Sequence, residues 1–492
     1  MRAHTARRDK LRSGRRLRIL KPSRPMLIEG VTVPVASATF RRVLVLTASP
    51  IGEGNQTSLL MRNLFGGWPP QALAQVFTTA AEPDYQICPA SWRAPRLRAK
   101  WSARDVTRDA LVRRGAAHTG GGVASGLWSA GVAWRLAKQW TLREARSGTD
   151  AVLPALTPAL WARIEGFRPA VVYSCPSSTW LARWCCLIAG RLDIPIVPHF
   201  LDDFPATLYR RTLSAPMQRP LLLYWLRRLL THTDTGLVIS EEMRQAYEAR
   251  YRRPFSVVRN GLADATFAAL GNARETATGA EFAYFGSLDS GRARSMRTVI
   301  RAMLSVSTDL IQPTMVLYTG AVSPPAVSLQ REFGERVVRL EPAPSDADLP
   351  RVARVTTAFI HVDSFEPEFR RYFRYSMSSK LSLYCASGRP VLAFGPREIP
   401  TNALVEREGV GISVSVAGDG ELANAFARLL AAGPDVQAMS RRGRRLVALE
   451  FLASRQQECL RSVVEKVVGA SERRSATRRV LGSPRVSRDG EG

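Results

Sequence analysis

Lys380 is conspicuous for its rarity and its setting. The chain has six lysines against 64 arginines, and between Lys138 and Lys466 every cationic side chain except Lys380 is an arginine or a histidine. It follows two serines in YSMSSKLSLYCASGRPVLAFGP, residues 375 to 396, which reads as loop, short helix, glycine stop, buried strand and glycine turn. Ser378 and Ser379 are good N-caps, and Gly388 can take the left-handed conformation that ends a helix. A helix start with free N–H groups beside an ammonium suits an anion, because the two positive potentials add. The chemistry expected at Ser379 and Lys380 is phosphate binding.

Three other stretches carry residues of the right type. In FAYFGSLDSGRARSMRTVIRAM a strand stops at Gly286, a loop holds Arg292 and Arg294, and a helix is expected from near Ser295, a second phosphate-compatible strand, loop and helix. In HFLDDFPATLY, His199, Asp202 and Asp203 stand just past the carboxyl end of a strand, where open parallel sheets bind ligands, and they are candidates for handling an acceptor's proton. Capping of the next helix by Asp203 is the alternative role. In VLVLTASPIGEGNQTSLLMRNLF a strand runs through Gly52, Gly54 and Asn55 into a helix; those glycines allow a ligand close to the backbone or simply make a tight turn. Adjacent aspartates do not form a D-x-D motif, and no metal is expected.

Strands and helices alternate through all of these stretches, so the fold class expected is α/β, with two doubly wound Rossmann-like domains. Residues 1–38 read as a disordered basic segment, 39–267 as the N-terminal domain, 268–280 as a linker, 281–469 as the second domain and 470–492 as a polar tail. Helices are expected at about 420–432 and 437–467.

The Lys380 stretch resembles the nucleotide-sugar-binding segment of GT-B glycosyltransferases of the family-4 (group 1) type, with its pattern S-x-K-L-x-x-Y-x-A-x-G-x-P-V. Ser378, Lys380, Leu381, Tyr384, Ala386, Gly388, Pro390 and Val391 supply it here. HFLDDFPATLY is similar to a segment of bacterial polysaccharide-pathway members, and Asn260, Gly261 and Phe267 match the family's N-G-x-x-x-x-x-F. The resemblance implies two facing domains, a last helix that crosses back, and retaining, metal-independent transfer from a nucleotide-diphosphate sugar with no cofactor. Gly286, Arg292, Ser379 and Lys380 would meet the donor diphosphate. Gly52, Gly54 and Asn55 would face the acceptor. One departure is Leu383, where many members carry a glutamate for the ribose; Asp363, Glu366 and Glu368 in the preceding loop are candidate substitutes.

A net charge of +28 and a pI near 11 point to anionic partners, although an arginine bias along the whole chain can also reflect coding composition. Residues 1–25 carry ten basic residues against one acid, and 91–146 twelve against three. With Trp128, Trp134 and Trp140 near Arg135 and Lys138, the second segment suits either an anionic membrane surface or tryptophans packed on the domain core with the arginines in water. No apolar run is long enough to span a membrane, no signal peptide is legible, and six scattered cysteines read as reduced packing residues of a cytoplasmic protein. The partners expected are a nucleotide sugar and a lipid-linked or glycan acceptor at the inner membrane face. A sugar-nucleotide epimerase-like or non-catalytic GT-B protein is the alternative. Nucleic-acid binding has only charge in its favour, lacks stacking motifs, and is not expected.

Overall fold

The structure, a computed structural model, describes residues 40–53, 55–95, 156–210, 215–271, 280–319, 323–416 and 419–482. Gly54, the tryptophan-rich segment at 128–140 and the basic N-terminus lie outside them.

The first described sheet contains β1 (Val43–Leu46), β2 (Leu73–Phe77), β3 (Ala90–Arg93), β4 (Val171–Ser174), β5 (Ile196–Phe200), β6 (Gly236–Val238) and β7 (Phe255–Val257). Their order is β3-β2-β1-β4-β5-β6-β7 and all neighbours are parallel, with Val43 opposite both Leu73 and Val171. Strands such as VLVL can be apolar at every position because helices cover both faces. Leu44 and Leu46 pack into one core, and Val43 and Val45 into the other.

The second sheet contains β8 (Glu281–Phe285), β9 (Thr314–Tyr318), β10 (Val338–Glu341), β11 (Thr356–Val362), β12 (Val391–Phe394) and β13 (Gly411–Val414), ordered β10-β9-β8-β11-β12-β13 and again parallel. In each sheet the order reverses beside the first strand, between β1 and β4 and between β8 and β11. Loops that leave such a switch point diverge and open a crevice. Among the described residues the crevice is lined by Thr47, Ser49, Gln56, Thr57 and Ser177 in one domain, and by Tyr372, Met377, Ser378 and Ser379 in the other.

The final helix, Ala453–Gly482, crosses back to the N-terminal domain. Leu460, Val463, Val464 and Val467 enter the core that contains Leu60, Met61 and Leu64; burial of each such side chain contributes about 1.5–3 kcal/mol. Where the chain crosses, Leu262 N–H donates to Phe451 O at 2.7 Å and Ala453 N–H to Leu262 O at 2.8 Å. A β-carbon on Gly261 would lie 2.6 Å from Ala453 Cα, so this contact requires glycine.

Several boundaries differ from the sequence reading. The expected linker begins inside a helix, Asp264–Leu270, which buries Leu270 in the core of the second domain. The expected single helix at 437–467 is Pro434–Leu446, a wider turn at Val447–Phe451, an extended Leu452, and then the crossing helix. That helix continues to Gly482, past the point where a polar tail was expected. Trp92 and Arg93, at the start of the basic segment 91–146, belong to β3. No helix of the described residues is long and apolar enough to cross a membrane.

Candidate active site

Lys380 lies at the switch point of the second sheet. It begins the short helix Leu381–Ala386, and neither serine side chain caps that helix as expected. Ser378 Oγ instead accepts from Lys380 N–H at 3.4 Å, and Ser379 Oγ donates across the crevice to Gln56 Oε1 at 3.0 Å. Six residues make little macrodipole, so the side-chain charges carry the anion site. The helix is pinned by Tyr384, which stacks on Phe359 and whose hydroxyl accepts from Phe285 N–H at 2.9 Å. That bond ties Lys380 to the end of β8, where Gly286 has φ +118°.

Arg292 begins its helix, three residues earlier than expected. Its guanidinium stands 3.7 Å from Asp363 and lies over the Phe373 ring at 4.4 Å. Asp363 is buried, with its carboxylate 2.9 Å from His361 Nε2. Burial opposes its ionisation, but His361, Arg292 and Lys380 outweigh that and hold the carboxyl below its usual range. Lys380 is pushed down by burial and by Arg292, with Asp363 partly restoring it. Two crowded cations around one committed carboxylate leave a local excess of positive charge for an anion. Asp363 is thus engaged by His361 and Arg292. Glu366 stands 3.7 Å from Arg294, and Glu368 is exposed in the first turn of the helix Pro367–Phe373. Leu383 packs against the apolar cluster of Leu381, Tyr384 and Phe451.

On the other side of the crevice, His199 of β5 and the two aspartates just past its end separate. His199 is fully buried: Nε2 lies 3.0 Å from Val258 O and Nδ1 2.6 Å from the Tyr173 hydroxyl. Burial pushes its pKa down to about 4. A neutral ring donating to Val258 O and accepting from Tyr173 satisfies both nitrogens, so His199 has none left for an acceptor's proton. Asp203 is committed as well: it accepts from Tyr247 Oη at 3.0 Å and from Arg250 at 2.7 and 3.2 Å. Its side chain does not cap the helix Phe204–Thr207.

Asp202 lines both crevice cavities, whereas His199 reaches only the second, with both ring nitrogens engaged. The first, of 190 Å³, includes Gln56, Thr57, Arg259, Ser378 and Ser379, and the second, of 270 Å³, includes Thr47, Ser49, Ser177 and Tyr372. Burial raises its pKa, opposed by a hydrogen bond from Ser376 Oγ at 2.5 Å and supported by Asp203. Asp202 in turn heads the causes that push the Tyr372 phenol up to about 12. Sequence reading missed Ser376, Tyr372 and Arg259. Arg259 precedes the Asn260–Gly261 turn and keeps a buried Nε with no hydrogen-bond partner.

Of the first-domain glycine loop, Gly52 and Asn55 are described. Gly52 is buried, and a β-carbon there would meet Glu82 O at 3.3 Å and Asp84 N at 3.5 Å, so its close approach is to a neighbouring loop. Asn55 caps the helix Gln56–Phe65 by accepting from Thr57 and Ser58 N–H. It presents Gln56 and Thr57, not itself, to the crevice.

Residues 126–265 match the profile of Glycosyltransferase Family 4. The chain superposes on HepE of Anabaena, solved in complex with UDP, with a TM-score of 0.57 at 12% identity over 86% of this chain and 100% of that one. The fold is GT-B. This GT-B chain is also similar to sucrose-phosphate synthase of Thermosynechococcus elongatus (TM-score 0.54, 14% identity, 89% of this chain and 100% of that one). A UDP-forming trehalose-phosphate synthase of Burkholderia vietnamiensis gives 0.52 at 12% identity, over 88% and 98%. No curated protein is detectably similar to it in sequence.

Proposed function

We propose that the chain is a glycosyltransferase that moves a sugar from a nucleotide-diphosphate donor to a lipid-linked or glycan acceptor at the cytoplasmic membrane face, with retention at the anomeric carbon. The observation that carries this reading is the crowding of two cations, Arg292 and Lys380, around Asp363 in the second domain, whose Ser376 donates to Asp202 of the first. The two cations neutralise the leaving diphosphate as the anomeric bond breaks, with no cofactor and no metal ion required. Holding donor and acceptor in one crevice supplies a second large part of the rate. Asp202, with its raised pKa, accepts or steers the acceptor's proton. HepE has been solved with UDP and with UDP-glucose, which makes UDP the first donor nucleotide to try.

Leu383 favours a second reading, an epimerase-like or non-catalytic protein, because a leucine cannot hold ribose hydroxyls. Release of nucleoside diphosphate from UDP-, GDP- and dTDP-sugars, with a membrane extract as acceptor source, separates the two. The transferase reading expects release by the wild type and none by Asp202→Asn. Donor binding without release or label transfer would overturn it.

A further inference from the structure

A cavity of 580 Å³ lies between the helices Ala215–Thr231 and Glu241–Tyr251 and shares no lining residue with the two crevice cavities. Its charged lining among the described residues is Arg210, Arg219, Arg227, Arg250 and Arg253, with no acidic side chain among them. Asp203 behind it pairs with Arg250. Arg250 also lies over the Tyr247 and Tyr251 rings, and three other arginines donate to backbone carbonyls: Arg219 to Leu208 O and Pro205 O at 3.0 and 3.2 Å, Arg253 to Thr233 O at 3.0 Å, and Arg210 to Ala206 O. Carbonyls orient guanidinium groups without cancelling their charge. Burial and Arg210 push the Arg219 pKa down, a sign that these cations crowd one another.

The rest of the lining is apolar, with Leu223, Leu226 and Leu230 on one wall and Tyr251 on the other. Beyond it the surface stays apolar and basic. The helix Ala215–Thr231 leaves Met217 61% and Tyr224 52% exposed, and the helix Thr179–Leu192 leaves Leu187 38% exposed. The two helices touch through Cys186 and Trp225, and together they contain five arginines and no acid. A soluble phosphate would use the arginines but not the exposed Met217, Tyr224 and Leu187. A bilayer uses both, since apolar and aromatic side chains settle at the headgroup boundary while arginines hold phosphates.

We infer that this cavity receives the phosphate of an anionic membrane lipid, and that the face formed by Met217, Tyr224 and Leu187 rests on the bilayer around it. The site lies outside the donor crevice and stands independently of how that crevice is used.

The test is co-sedimentation of the full chain with vesicles of phosphatidylcholine, with and without phosphatidylglycerol, alongside titration with inorganic phosphate. Arg210→Gln/Arg227→Gln should weaken binding to the anionic vesicles roughly thirtyfold, given the usual contribution of two arginines near such a surface. Arg331→Gln/Arg336→Gln removes the same charge from exposed positions of the other domain and should change it far less. Met217→Ser/Tyr224→Ser keeps every arginine and should also weaken vesicle binding. Equal losses in the two arginine pairs would reduce the effect to net charge and overturn the proposal. So would phosphate binding without vesicle binding, or a wild type that ignores phosphatidylglycerol. Unchanged melting of each variant excludes misfolding as the cause.

Discussion

A β-carbon on Gly286 would sit 3.1 Å from Cε and 3.3 Å from Nζ of Lys380. The ammonium thus lies against backbone that has no side chain, at the mouth of the second sheet's switch point. Gly286→Ala would both strain a left-handed φ of +118°, at about 1–3 kcal/mol, and displace the lysine. We expect nucleoside diphosphate affinity to fall at least tenfold by titration calorimetry. A lower melting temperature with unchanged affinity would show that Gly286 serves folding alone.

Asp202 and Asp203 should part company under mutation. Asp203→Ala strips acceptors from Tyr247 and Arg250, and should cost roughly 1.5–3 kcal/mol in urea unfolding. Asp202→Asn should leave stability nearly intact while transfer falls about 10²–10⁴-fold. Because burial raises the Asp202 pKa, the acid limb of kcat/KM should lie above the ordinary carboxylate range. Stability loss at Asp202 and activity loss at Asp203 would reverse these assignments.

His199 makes stability depend on pH in a defined direction. Its pKa falls from 6.5 to about 4 on folding, so between those values the unfolded chain binds a proton that the folded chain does not. Stability contributed by the neutral ring is complete above pH 6.5, declines as pH falls, and is lost by about pH 4; the full span is roughly 3 kcal/mol. Urea unfolding of wild type and His199→Gln should therefore converge as pH drops through that window. Parallel curves would show that the histidine titrates normally.

Much of the scaffold was legible because buried parallel strands are plain apolar runs bounded by turns, as in VLVL, VVYS and VLAF. β2 and β3 were not, and Gln75 shows why. It sits in the middle of a buried strand, with its amide accepting from Ile51 N–H at 2.8 Å and donating to Ser91 at 2.7 Å, partners that the local sequence does not reveal. The site was legible in part for the same reason. Lys380, Arg292 and Asp202 mark themselves by residue type at strand ends, but the roles of His199 and Asp203 depend on Tyr173, Val258, Tyr247 and Arg250, which only folding brings near. Likewise the engagement of Asp363 by Arg292 and His361 shows only in the folded chain.

The most direct test of a donor diphosphate held by Lys380 and Arg292 is a thermal-shift panel with UDP, GDP, dTDP and CDP on wild type and Lys380→Ala. The account predicts that one nucleotide raises the wild-type melting temperature and leaves that of a normally folded Lys380→Ala unmoved. Equal shifts in both proteins, or no shift with any nucleotide, would contradict it.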